Sequence, residues 1–449
     1  MFDFNDIFAN EIILKRNLCL LLPSSIALIL LALKRPSKKI RVGAFLASLW
    51  VLASLVPFQV LVNYFDWWDF DVQKGTLFSI PVDLLFAWIL LWGVIPVFTS
   101  LNLRLPIWFI LMLVFDLLLM PLCFPLLKLN QNWVIGEFLA LFLCFVPAQL
   151  LARWTIEERH LPSRAFLQVI CFSILFLFVI PLTIFEQIGG GWKVLFLRPK
   201  WLNSLTFQLL AIPIVLGLSA VQEFLESGKG TPFPYDAPKK LVTTSLYAYV
   251  ANPMQLSVTL IFFGYGLILN HFWLFFGGVV AFSYGVGLAR WDENQELEIR
   301  FGQEWLNYHK VVRQWLPSWR PWHASLNNKN IFPARLYYDE GCNQCSELAH
   351  WFEKRNPVGL MLIPAQDHPS KDLKRLTYDP MNGNSDKSGV CAFAKALEHI
   401  NLAWALIGSF MRLPLISQFL QLVSDLTDGE PRQVCRRTKT LSNTTNIDN

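Results

Sequence analysis

The chain has 449 residues, of which 54% are hydrophobic, 14% aromatic and only 16% charged, with a net charge of +5. Soluble domains carry roughly a quarter charged residues, so this composition argues against a soluble globular protein and for a polytopic membrane protein. The cations are scattered in loops between apolar runs rather than gathered in one basic stripe, which argues against nucleic acid as a partner.

In chain order, apolar runs long enough to cross the hydrocarbon core as helices recur up to Trp291. They predict about nine transmembrane helices, near 18–33, 42–62, 76–98, 106–127, 133–152, 165–185, 202–222, 253–269 and 271–289. The first run ends in Lys34-Arg35 rather than in the small residues of a cleavage site, so it reads as an uncleaved span. Lys34, Arg35, Lys38, Lys39 and Arg41 crowd the first loop and place it in the cytoplasm by the positive-inside rule. Asp66, Asp69 and Asp71 then mark an outer loop, and alternation puts Arg153, Arg159, Arg164, Lys229, Lys239 and Lys240 inside. One loop dissents, because Lys193, Arg198 and Lys200 fall outside. An odd number of spans makes everything after Trp291 cytoplasmic, as in a bacterial-type inner-membrane protein.

Residues 1–201 show no chemical motif. Asp83, Asp116 and Glu137 stand in apolar runs, where a charge costs about 2.5–3.5 kcal/mol at mid-bilayer. They read as protonated or hydrogen-bonded carboxyls packed between helices, with a substrate or proton site as the other reading. Cys19, Cys123, Cys144 and Cys171 also lie in apolar runs and read as core.

The stretch Lys229 to Met254, KGTPFPYDAPKKLVTTSLYAYVANPM, delivers a proline-rich polar loop to the mouth of an apolar hairpin, and WDENQELEIRFGQEWLNYHKVVRQWLP follows that hairpin at Trp291 to Pro317. Proline disfavours helix in the residue before it, so Asn252 is expected extended at a helix start with its amide free for a ligand. Glu293 and Glu296, three apart on a helix, share a face. Gly264, Gly266, Gly277, Gly278, Gly285 and Gly287 read as small surfaces for close helix packing.

These two blocks resemble the isoprenylcysteine carboxyl methyltransferase-like family, which is related to phospholipid methyltransferases. The first carries Gly230-Thr231-Pro232, Pro234, Asp236, Pro238, Leu241-Val242, Tyr247, Tyr249-Val250 and Asn252-Pro253-Met254. The second carries Arg290, Glu293, Glu296-Leu297, Phe301-Gly302, Tyr308, Val312 and Pro317. The resemblance implies an S-adenosylmethionine site in which Asn252, Pro253, Glu293 and Glu296 line the cofactor pocket, Tyr247 and Tyr249 pack nearby, and Arg290 orients a carboxylate acceptor. Three positions depart from the family: Ala251 stands in place of arginine, Asn294 in place of a second glutamate, and Ser245-Leu246 in place of Gly-Pro.

Beyond Pro317, Trp315, Trp319 and Trp322 mark a linker expected at the membrane interface. Composition then turns soluble. RLYYD at Arg335 to Asp339 reads as a strand entering Cys342-Asn343-Gln344-Cys345, followed by a helix over Ser346 to Arg355 and a strand over Val358 to Pro364, the opening of a small α/β thioredoxin-like domain. YYDEGCNQCSELAHWFEKRNP is similar to the DCC family of thiol-disulfide oxidoreductases, with Glu340 in place of glycine and an unexpected Cys391. At a helix N-terminus Cys342 would be the attacking thiol and Cys345 the resolving one. A half zinc site with Cys391 and Cys435, or inert thiols, are the other readings; no metal is assigned. The run Leu402 to Leu422, interrupted by Arg412 and Pro414, reads as amphipathic helices rather than a further span.

The expected organisation is N-terminal spans over 1–201, a methyltransferase-like membrane domain over 202–322, a linker over 323–332, a DCC/thioredoxin-like domain over 333–437 and a tail over 438–449. The leading function is methyl transfer from S-adenosylmethionine to a lipid-associated or prenylated acceptor at the bilayer, with a thiol partner for the CxxC. A membrane-anchored oxidoreductase on a catalytically degenerate bundle is the competing reading, and a lipid- or quinone-binding scaffold is a third.

Overall fold

The computed structural model describes residues 4–72, 74–99, 103–233, 238–323, 332–427 and 434, with side chains excluded for 4–10 and 288–295. It divides into two compact units, Met1–Leu197 with Thr231–Ala237, and Arg198–Gly230 with Pro238–Asn449.

Six helices of the first unit are long and apolar enough to cross a bilayer: Glu11–Lys34, Lys38–Phe65, Val82–Thr99, Leu105–Cys123, Trp133–Ile156 and Leu161–Ile188. The second helix is central, burying Ala47, Val51 and Val62 completely. Gly93 lets the third helix approach it so closely that a Cβ there would lie 2.9 Å from Ser48 Cα. The first helix is peripheral, with 6% of its apolar window buried. Two short strands, β1 (Trp68–Phe70) and β4 (Leu127–Leu129), pair antiparallel at the ends of the second and fourth helices. Between them β2 (Thr76–Leu77) and β3 (Ile80–Pro81) form a tight hairpin. The carboxyls of Asp116 and Glu137 are buried, and Asp116 accepts from the Trp92 indole at 3.2 Å.

A seventh long helix, Lys200–Gly228, begins the second unit. Of the two hairpin helices, Pro253–Ile268 is shorter, while the second starts at Phe272 and runs through Gly285–Ala289 into Arg290–Phe301. The first has 16 residues, about 24 Å at ~1.5 Å per residue, against about 30 Å of hydrocarbon. Against the nine spans expected, seven helices among the described residues are long and apolar enough to cross a membrane, or eight if the pair Leu402–Met411 and Pro414–Leu426, bent by 85°, counts as one. Helices Arg290–Phe301 and Gln303–Val311 follow the hairpin.

The C-terminal α/β module is built on a mixed four-stranded sheet of β5 (Ala334–Tyr338), β6 (Leu360–Pro364), β7 (Thr377–Asp379) and β8 (Lys387–Ser388) in the order β6-β5-β7-β8. β5 runs parallel to β6, with the helix Asn343–Glu353 as the crossover, and antiparallel to β7. Ala334, Leu336, Phe352, Tyr378, Ala392 and Leu397 form its core. The fold class expected from the sequence, a helical membrane bundle followed by a small α/β domain, is the one observed.

Candidate active sites

The two sequence blocks meet. Ala251 packs with Trp305, Tyr308, Val312 and Trp322 in one apolar cluster, against which Leu241, Leu297 and Phe301 also lie. Backbone pairing reinforces the contact: Ala251 N donates to Arg313 O at 2.9 Å and Asn252 N to Gln314 O at 3.3 Å. The Tyr308 hydroxyl donates to Tyr247 O at 2.7 Å, and Arg300 Nη2 to Pro238 O at 2.5 Å. Gly285 makes room for the second block, because a Cβ there would lie 2.6 Å from the Trp315 ring and 2.8 Å from Gln255 Oε1.

Asn252 caps the hairpin's first helix at φ −119°, ψ 60°, and its side chain takes no part in capping. Among the described residues its amide reaches Gln255 Oε1, at 3.4 Å. Pro253 is buried at the first helical position, where its missing N–H costs nothing. Glu296 is exposed, 3.4 Å from Arg300 one turn on. Arg290 and Glu293 lie on the same helix, with side chains outside the described residues.

The two tyrosines serve the scaffold. Tyr247 is buried among Ala220, Val242, Phe224 and Met254. Tyr249 is fully buried, and its hydroxyl donates to Glu398 O at 2.8 Å. That bond occupies the phenol with the C-terminal module, so Tyr249 supports the Asn252 corner from behind rather than facing a ligand. Trp322 is likewise packed in the apolar cluster, so the expected interfacial linker is core at that position, while Trp319 stays 62% exposed.

Sequence reasoning missed an ionic joint behind the corner. Arg412 Nη1 lies 2.9 Å from Glu223 Oε2 and 2.6 Å from Glu398 Oε1, and its Nη2 lies 3.1 Å from Glu226. Lys395 bridges Glu223 at 2.6 Å and Glu398 at 3.1 Å, and Lys387 pairs with Glu226 at 3.0 Å. Thr244 and Ser227 donate to Glu223 Oε1 at 2.5 and 2.7 Å. Three acids thus face three bases, with nearly every lone pair used, as burial of such charges demands. The signal in the sequence was an opposite pair of ions, Glu223 and Arg412, each stranded beside an apolar run. A cleft of about 510 Å³ borders this joint, lined by Glu226, Lys229, Asn384 and Lys387 among others, and a second of about 730 Å³ lies by Thr244, Trp322 and His399. Neither cleft includes Asn252 or Glu296.

At the CxxC loop, Cys342 occupies the cap position of the helix Asn343–Glu353, and both cysteines are thiols. Asp339 Oδ1 organises the turn by accepting from Gly341 N at 3.0 Å and Gln366 Nε2 at 2.8 Å. The Cys345 thiol, aided by the backbone N–H groups of Cys345 and Gln344, holds the Cys342 thiol below the ordinary cysteine range, against burial and Asp339. Burial, with the neighbouring Cys342, pushes Cys345 up to about 12. This asymmetry makes one nucleophilic thiol and one proton-holding partner. Cys391 is half-buried in the helix Val390–Leu397, and Cys435 lies outside the described residues.

Residues 203–304 match the phospholipid methyltransferase family, and residues 336–427 match the DCC1-like thiol-disulfide oxidoreductase family. No curated protein and no solved structure matches the chain. The chain is an enzyme of the membrane that carries a phospholipid-methyltransferase-family domain and a DCC1-like thiol-disulfide oxidoreductase domain.

Proposed function

We propose that the chain transfers a methyl group from S-adenosylmethionine to a lipid acceptor at the cytoplasmic face of the bilayer, and that its cytoplasmic CxxC module exchanges disulfides with a thiol partner. The observation that supports the first half is the cluster joining Leu241 and Ala251 to Leu297, Phe301 and Tyr308, residues that neighbour Asn252 and Glu296 in sequence. The residues there fit the cofactor's chemistry. Glu296, with Glu293 on the same helix, would hold its ammonium group, and Asn252 and Gln255 would bond its carboxylate. S-adenosylmethionine supplies an electrophilic methyl group, so the protein's task is alignment and exclusion of water.

Within this reading the domains are 202–322 for methyl transfer and 333–437 for redox chemistry. The family match favours a phospholipid acceptor, whereas the isoprenylcysteine methyltransferase-like motifs favour a prenylated one with Arg290 as its carboxylate partner. Incubation of the purified protein with tritiated cofactor and vesicles of either acceptor distinguishes them. Label in the extracted lipid supports methyl transfer; no label with either acceptor, and no cofactor retained at saturation, overturns it.

One observation favours the competing reading of an anchored oxidoreductase. Ala251, in the family's arginine position, is buried against Trp305 and Tyr308 and offers no charge to an anionic group. In that case disulfide exchange persists with no cofactor binding.

A further inference from the structure

Four cysteines of the first unit looked like core in the sequence, and two of them are. Cys144 and Cys171 are buried at 0% and 2% exposure. Cys19 and Cys123 differ: both are half-buried, and the contact of Lys15 with the carbonyl of Phe124 sets the helical turn that carries Cys19 against the segment that carries Cys123. Polar contacts around them fix the register. Lys15, one turn before Cys19, donates to the carbonyl of Phe124 next to Cys123, and pairs with Glu11 at 2.8 Å. Arg16 grips Asp83 at 2.5 Å and the carbonyl of Lys74 at 3.0 Å. The helix that buries least among the described spans is thus pinned within one turn of Cys19, beside the segment of Cys123.

The pair also lies at the end of the helix away from the basic loop. Cys19 stands 15 residues before Lys34, about 22 Å along a helix rising ~1.5 Å per residue. With Lys34 to Arg41 in the cytoplasm, the two thiols lie toward the opposite face, where disulfides form and persist.

We propose that Cys19 and Cys123 form a second thiol–disulfide site. With a disulfide as oxidant, the Cys123 thiolate attacks one sulfur of RS–SR, forms Cys123–S–SR and releases RS⁻. The Cys19 thiolate then attacks the Cys123 sulfur, closes Cys19–S–S–Cys123 and releases the second RS⁻. One external disulfide is reduced to two thiols, and the protein pair is oxidised by two electrons. Cys123 attacks first because the Lys15 ammonium stands beside it, and a neighbouring cation is the setting that favours a thiolate.

The test equilibrates the full-length protein, carrying Cys342→Ser and Cys345→Ser, with glutathione buffers of graded poise, followed by acid quench, maleimide labelling and peptide mass spectrometry. The expected result is loss of two maleimides per chain as one step and a Cys19–Cys123 linked peptide. In a Cys19→Ser variant the expected product is a single glutathione on Cys123. Independent glutathionylation of both residues without a linked peptide, or two free thiols at every poise, overturns the proposal. Cys19 and Cys123 themselves are unsubstituted in the first measurement, so that readout needs no change at the proposed site, and it is independent of membrane orientation and of methyl transfer.

Discussion

The Tyr247–Asn252 corner has two sides that differ in how completely their polar groups are used. Behind it, Tyr249 bonds Glu398, and Glu223 shares its carboxylate among Lys395, Arg412, Thr244 and Ser227. In front, among the described residues, the Asn252 amide makes one long contact and Glu296 is exposed beside Arg300. Saturated polar groups hold a shape, while under-used ones are available to a ligand. The difference is the one the proposed methyl-transfer site needs, with a rear that holds shape and a front that would take the ligand.

Breaking the rear is expected to have the largest effect. Arg412→Ala leaves Glu223 and Glu398 buried with reduced compensation, and removing one partner of a buried ion pair typically costs about 3–5 kcal/mol. Unfolding in detergent, followed through the C-terminal module, should show that loss. A loss below about 1 kcal/mol would mean the joint is dispensable.

The dithiol is the next contrast, because it lies away from both sides of the corner. Cys342→Ser should lower the rate of disulfide exchange by about 100-fold or more, on the order of 3 kcal/mol in the barrier, and leave cofactor affinity unchanged. Alkylation of Cys342 in the Cys345→Ala variant should move its midpoint upward in pH, since the Cys345 thiol is the main group holding it down.

A smaller effect follows from His399, whose ring bonds the Tyr378 hydroxyl at 2.9 Å and Val358 O at 2.7 Å. Burial pushes it down from 6.5 to about 3. The unfolded chain binds a proton near 6.5 that the folded module refuses, so stability present above that pH is lost as pH falls toward about 3. The slope is about 1.4 kcal/mol per pH unit for one proton, and His399→Gln should flatten it. The smallest effect is expected from Tyr249→Phe, about 1 kcal/mol for one hydrogen bond, with cofactor affinity unaltered. A tenfold loss of affinity in that variant would place the tyrosine at the front of the corner.

Legibility in the sequence followed range. The Asn252-Pro253 corner and the CxxC loop were readable because their chemistry sits within a few consecutive residues, and the structure puts each at a helix start. The ionic joint was not, because Glu223 and Arg412 are 189 residues apart, and nothing local pairs them. Cys19 and Cys123 were hidden for the same reason. The hairpin's apolar run is continuous in composition, and only the structure shows its first helix stopping at Ile268. Trp322 looked interfacial by residue type, and only the packing of Ala251 and Tyr308 around it shows it to be core.

The most direct measurement is equilibrium binding of S-adenosylmethionine to the full-length protein and to Glu296→Ala, Asn252→Ala and Tyr249→Phe. The account predicts saturable binding that weakens about tenfold or more in the first two, roughly 1.4 kcal/mol each, and holds in the third. Equal affinity in all four, or none in any, would contradict it.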